Sequence, residues 1–273
     1  GPLDSTDAGA AIASLPRRYA QFDITLRSSL DGTGQLDYLQ FAASPALATS
    51  LVAEIEPNVA AAATATTFNF KFSPRLEPGD LGFDTIAIDT PARPLAVKAV
   101  SVGATATDFA LIRLDDTGFA VRLPTHIDVA RTMELIEIEF SAEVFEYGTL
   151  FAGRVYDSSR PAELPQPILP GDAHELYDSN GLRVALANIP DRAIHAFRLS
   201  SAVFTPNGDR INDQLCVEYE LLNLKGGTPF TVAVYDLAGQ RVVVIDAAQV
   251  DNGRHHVDWD GTDSNGLRVP PGI

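Results

Sequence analysis

Residues 135–148 read LIEIEFSAEVFEYG. Ile138, Phe140, Ala142 and Val144 fall on one face of an extended chain, and Glu137, Glu139, Ser141 and Glu143 fall on the other. Helical spacing would scatter the acids around the axis, so the stretch is a strand with one face in a core and one toward water.

The same period of two recurs on both sides of it. In QFDITLRSS (21–29), Phe22, Ile24 and Leu26 share a face. In TFNFKFSP (67–74), Phe68, Phe70 and Phe72 do. FDTIAIDTP (83–91) and PLAVKAVSV (94–102) are short apolar runs bounded by Pro or Gly. FALIRLDDTGFAVRLP (109–124) reads as two strands joined by a hairpin turn at Asp115–Gly118. TLFAGRVYDSS (149–159) follows a turn at Tyr147–Gly148. PALATSLVAEIEP (45–57) alone has helical character, and reads either as a short helix between prolines or as a loop running into a strand. Residues 158–173, with Pro161, Pro165, Pro167 and Pro170, read as an extended edge or connector, because proline denies a sheet its donor. Short strands at intervals of roughly 8–12 residues predict an all-β chain of tandem β-sandwich domains. About ten strands precede residue 195, and the pattern restarts at Phe197. The expected division is therefore 1–16, 17–196 and 197–273. GPLDS at the start resembles a cleavage and cloning remnant, so residues 1–16 are expected to be tag and linker, with the natural N-terminus upstream.

Composition narrows the function. The chain has 273 residues and 45% hydrophobic residues, enough for a packed core. No apolar run approaches the roughly 18 residues of a membrane helix. A net charge of −16, with only Lys71, Lys98 and Lys225 as lysines, argues against nucleic acid and anionic membrane surfaces. It suits a secreted protein, one from a salty habitat, or simply a soluble acidic one. Cys216 is the only cysteine, so neither an internal disulfide nor a Cys-rich zinc site can form.

The C-terminal motifs are the most specific. FTPNGDRINDQLCVEYELL (204–222) leads to FTVAVYDLAGQRVVVI (230–245) and then GRHHVDWDGTDSNGLRVPPGI (253–273). In order and spacing these blocks resemble the Ig-like domain of the flagellar hook-capping protein (FlgD-like) and the C-terminal modules of secreted Bacteroidetes-type proteins. Arg210 stands where the first block usually has a glycine. The resemblance covers residues ~199–273. It implies an Ig-like sandwich lacking its last strand, in a larger secreted or cell-surface bacterial protein. Val217, Tyr219 and Leu221 alternate inward, as do Phe230, Val232 and Val234, and Trp259 is expected at the centre of this core. RRYAQFDITLRSS with LDYLQF resembles closing strands of galactose-binding-like modules, which implies that residues 17–48 close a preceding module.

Candidate sites follow from residue type. Asn207, Asp209 and Asp213 offer oxygens at a spacing that partly fits calcium, but Ile211 occupies the position of a third ligand. The competing reading is an Asx turn in which Asn207 and Asp209 cap backbone amides and Ile211 anchors the turn to the core. Asp258, Asp260 and Asp263 divide in the same way between chelation and a polar turn. His255 and His256 are adjacent on a strand and face opposite sides, and His174–Glu175 lacks the second histidine of a zinc helix. His126 and His195 stand alone. Cys216 has no base nearby in sequence. Glu134, Glu137, Glu139, Glu143 and Glu146 read as a solvated strand surface rather than a glycosidase pair.

No catalytic residue and no cofactor is therefore expected. The leading reading is a non-catalytic spacer whose partners are neighbouring modules of its own polypeptide. The alternatives are a module binding protein or glycan, with Tyr19, Tyr38, Tyr147, Phe151 or Tyr156 as a flat platform, and a C-terminal secretion or anchoring domain.

Overall fold

The structure is a computed structural model that describes residue 25 and residues 45–91, 94–175, 179–188, 192–209 and 211–270. The expected strand at 21–29 and the galactose-binding-like resemblance lie outside these residues, Thr25 and residues 45–48 apart. Leu47 and Ala48 are built into the first core.

Every long element among the described residues is a strand. In chain order the first fourteen are β1 (Ser50–Glu56), β2 (Val59–Ala60), β3 (Thr66–Arg75), β4 (Phe83–Asp89), β5 (Ala96–Val102), β6 (Thr105–Ala106), β7 (Ala110–Asp115), β8 (Gly118–Ile127), β9 (Ile136–Ala142), β10 (Gly148–Leu150), β11 (Ala152–Tyr156), β12 (Gln166–Pro167), β13 (Leu169–Pro170) and β14 (Arg183–Leu186). Residues 45–57 thus run from loop into strand, with no helix. One sheet has the order β13-β1-β3-β9-β5-β6, a second β12-β11-β4-β8-β7, and a small third β10-β14-β2.

Period-two patterning decides which side chains fill the space between the large sheets. Phe68, Phe70 and Phe72 of β3 are fully buried, as is Phe140 of β9. They meet Phe83, Phe119 and Phe151 from the other side. Ring centroids stand 5.0 Å apart for Phe119–Phe140, 5.2 Å for Phe68–Phe151 and 5.6 Å for Phe140–Phe151, within the range of favourable aromatic pairs. The sheets approach so closely at β11 that a Cβ on Gly153 would stand 2.7 Å from Phe70 Cζ, so only glycine fits. The proline-rich run is the expected edge. β12 and β13 are outermost strands of the two large sheets, where Pro167 and Pro170 block further pairing.

Five strands follow: β15 (Ile194–Leu199), β16 (Leu215–Leu221), β17 (Thr228–Tyr235), β18 (Arg241–Val250) and β19 (Gly253–Trp259). They form a three-stranded sheet β15-β16-β19 and a two-stranded sheet β17-β18. Residues 196 and 197, on either side of the expected division, both lie inside β15. Val217, Tyr219, Leu221 and Val250 are buried, with Leu224, Phe230, Val232, Ile245 and Val257 packed around them. This cluster of four buried residues is far thinner than the 30 of the first, and each apolar side chain carries a larger share of its stability. β15 is also left uncovered. Phe197 and Leu199 pair across from the inward Tyr219 and Val217, yet they are 60% and 47% exposed, because the facing sheet is only two strands wide.

Candidate functional site

The loop 204–215 is built from turns closed by its own side chains. Asn207 Oδ1 accepts Asp209 N–H at 2.9 Å, Asp209 Oδ1 accepts Ile211 N–H at 2.8 Å, and Asp213 Oδ1 accepts Gly208 N–H at 2.7 Å. Asn207 Nδ2 donates to the other Asp209 oxygen at 2.9 Å. The side-chain oxygens thus serve backbone amides, the arrangement of successive Asx turns. Ile211 is 66% exposed and anchors nothing, contrary to the sequence-based expectation. The anchor is Phe204, whose ring lies 5.1 Å from that of Trp259.

Trp259 likewise departs from its expected place. It is buried at the end of β19 under this loop, outside the central cluster, and its Nε1 donates to Thr262 O at 2.8 Å. The turn beyond it closes on its own acids. Asp260 accepts both Thr262 N–H and Oγ1–H, and Asp263 accepts Asn265 and Leu267 N–H. These bonds hold both carboxyls below the ordinary aspartate value, the Thr262 hydroxyl acting most strongly on Asp260 and the Leu267 amide on Asp263. The two loops touch at Gly261, which has φ +79°, and a Cβ there would stand 2.6 Å from Pro206 Cγ. Among the described residues, no group of three or more His, Cys, Asp and Glu side chains is placed to hold a metal ion.

Cys216 lies across from Asp258, and a hydrogen bond to that carboxylate pushes the thiol up, the opposite of an activated nucleophile. His255 stacks on Tyr219 at 5.4 Å, and Tyr219 on Phe230 at 5.0 Å, so His255 extends a core stack. His195 lies on exposed β15.

His126 does not stand alone: its Nε2 is 3.4 Å from Asp157 Oδ2, and Arg160 Nε lies at the same distance. Asp157 is buried and also accepts Ser159 N–H and Oγ–H. Burial opposes its charge, but the Ser159 bonds and the imidazole outweigh it and hold the carboxyl below the ordinary value. A lowered acid contributes stability that is present above the unfolded-state value and is lost as pH falls through the folded one. Unfolding midpoints in urea at about pH 7 and about pH 3 should therefore fall further for the wild type than for Asp157→Asn. Equal losses would show that this carboxylate carries no acid-dependent stability.

The acidic stripe on β9 is paired rather than merely solvated. Glu137 lies 3.8 Å from Lys71, a lysine 2% exposed that also meets Glu56 at 3.3 Å. Glu139 faces Lys98 at 3.7 Å. Glu143 meets Arg254 of β19 at 3.0 Å. Burial raises the Glu143 carboxyl, with Arg254 opposing and Glu220 reinforcing that shift. The proposed aromatic platform is not assembled from the described rings. Phe151 is fully buried, Tyr156 is half-buried and Tyr147 is exposed, while Tyr19 and Tyr38 lie outside the described residues.

The residues that sequence reasoning missed join the two clusters. Asn223 N–H donates to Phe145 O at 3.0 Å, and its Oδ1 accepts Tyr147 N–H at 2.6 Å. Asn252 Nδ2 donates to Glu146 Oε1 at 2.9 Å. Arg254 reaches Ala63 O at 3.0 Å as well as Glu143. Asn252–Gly253 between two apolar strands is a turn signal legible in the sequence. Its long-range partner is not.

No curated protein matches the chain. Residues 222–273 match the family model of the FlgD Ig-like domain, a stretch that includes β17, β18, β19 and the turn after Trp259 but begins after the loop 204–215 and β16.

Proposed function

We propose that the chain is a non-catalytic structural segment of a larger secreted or cell-surface bacterial protein, spacing or displaying neighbouring modules. It comprises two β-sandwich units, the second Ig-like and lacking its last strand. The observation that carries this reading is the FlgD Ig-like match at residues 222–273, whose turn residues Asn223 and Asn252 bond Tyr147 and Glu146 next to the larger set of sheets. The acidic composition agrees with it. A glycan array and a panel of hydrolase substrates are expected to give no response. Saturable glycan binding abolished by Tyr147→Ala would replace the spacer reading with a binding one.

On this reading the loop 204–215 is a turn and not a calcium site. Excess calcium should leave the melting temperature unchanged, and Asp209→Ala should cost about 1 kcal/mol through the lost turn bond. A large calcium-dependent rise that disappears in Asp209→Ala would assign Asn207, Asp209 and Asp213 to the metal instead.

A further inference from the structure

Two units joined in one chain usually meet through a modest interface and move relative to one another. The junction here is built differently. Asn223 uses its own N–H and its side-chain carbonyl to bond Phe145 and Tyr147, two residues apart, in the way a neighbouring strand would. Asn252 is itself fixed, its Oδ1 accepting Leu224 N–H at 2.6 Å and its Nδ2 donating to Leu224 O at 3.0 Å, and from there it reaches Glu146. Arg254 is held by Glu220 through Nε at 2.9 Å and turns Nη2 toward Glu143 and Ala63 O. These residues come from just past the end of β16, the β18–β19 turn and β19, and together they grip residues 143–147 and Ala63. Phe145 and Leu222 are buried beside the polar contacts, yet they belong to neither apolar cluster.

We propose that Arg254, Asn223 and Asn252 form a charge-locked joint that makes the two sandwiches one rigid body with a fixed angle. Arg254 is the key, because Glu143 and Glu220 both point at its guanidinium. Removing it leaves two largely buried carboxylates, 12% and 18% exposed, without the cation that separates them, although the arginine side chain itself is 56% exposed and partly screened by water. A planar guanidinium can bridge both acids through different nitrogens, which a lysine cannot. The use of such a joint rests on the spacer reading, but its stiffness does not. A glycan-binding result would remove the first and leave the second standing.

The test is a distance distribution between spin labels at Thr125→Cys and Leu237→Cys in a Cys216→Ser background. The otherwise unmutated chain should give one narrow peak, and Arg254→Ala combined with Asn223→Ala should broaden it, with Arg254→Lys between them. Circular dichroism would verify that the variants are folded. A broad distribution in the unmutated chain overturns the proposal without any variant, and so does a narrow peak that persists in the folded double variant.

Discussion

Phe140→Ala is expected to destabilise the larger core by about 3–5 kcal/mol, the largest single-residue effect in this part of the chain. Its ring lies 5.0 Å from Phe119, 5.6 Å from Phe151 and 5.8 Å from Phe68, and it is fully buried between sheets whose strands on both flanks are themselves paired. β3 and β5 hold β9 in register on either side, so the backbone cannot collapse into the space the ring leaves. Phe140→Leu keeps most of the volume and should cost roughly 1–2 kcal/mol. For a unit of this size the alanine variant should melt about 6–20 °C lower. Equal melting of the two variants would mean that the site relaxes and that the ring cluster does not set the spacing of the sheets.

How much of this was legible depends on how far apart the interacting residues stand. Alternation at 68–72 and 138–144 identifies the buried faces, because period two is a local property of an extended chain. The Asp115–Gly118 hairpin is local too. Sheet order is not. β9 lies between β3 and β5 although three further strands, β6 to β8, intervene in sequence between β5 and β9, and alternation assigns a face without choosing a neighbour. The partners of the acidic stripe are illegible for the same reason. Its glutamates look solvated until Lys71, Lys98 and Arg254 arrive from other strands. Hydrophobicity predicts the burial of Trp259 but not its partner Phe204, and at Ile211, 66% exposed, it does not predict burial at all, because the turn closes through backbone and side-chain bonds that leave this residue facing water. The bonds of Asn207 to Asp209 and of Asp209 to Ile211 are local, since an Asx turn needs only the next two or three residues, whereas the bond of Asp213 to Gly208 spans five.

Trp259→Ala should have the largest effect on the second unit, about 3–5 kcal/mol against a core of four buried residues. The indole performs two tasks. Its ring packs tilted against Phe204 and fixes the start of the loop after it, and its Nε1 ties down Thr262 and with it the turn 260–268. Gly261 and Pro206 bring the two loops into contact, so they should loosen together. Trp259→Phe separates the tasks. It keeps a ring against Phe204 and loses the hydrogen bond and part of the buried ring volume, at a cost of about 1–3 kcal/mol. Hydrogen exchange followed by region provides the measurement. In the alanine variant, amides such as Gly208, Ile211, Thr262 and Leu267, which are bonded inside the two loops, should lose protection, while those of β3 and β9 keep theirs. The phenylalanine variant should lose protection mainly at 260–268. If both loops stay protected without the indole, their Asx turns are self-sufficient and Trp259 is only filler at the end of β19. If β3 and β9 also lose protection, damage around Trp259 reaches the larger core through the Arg254 contacts, and the two cores unfold together.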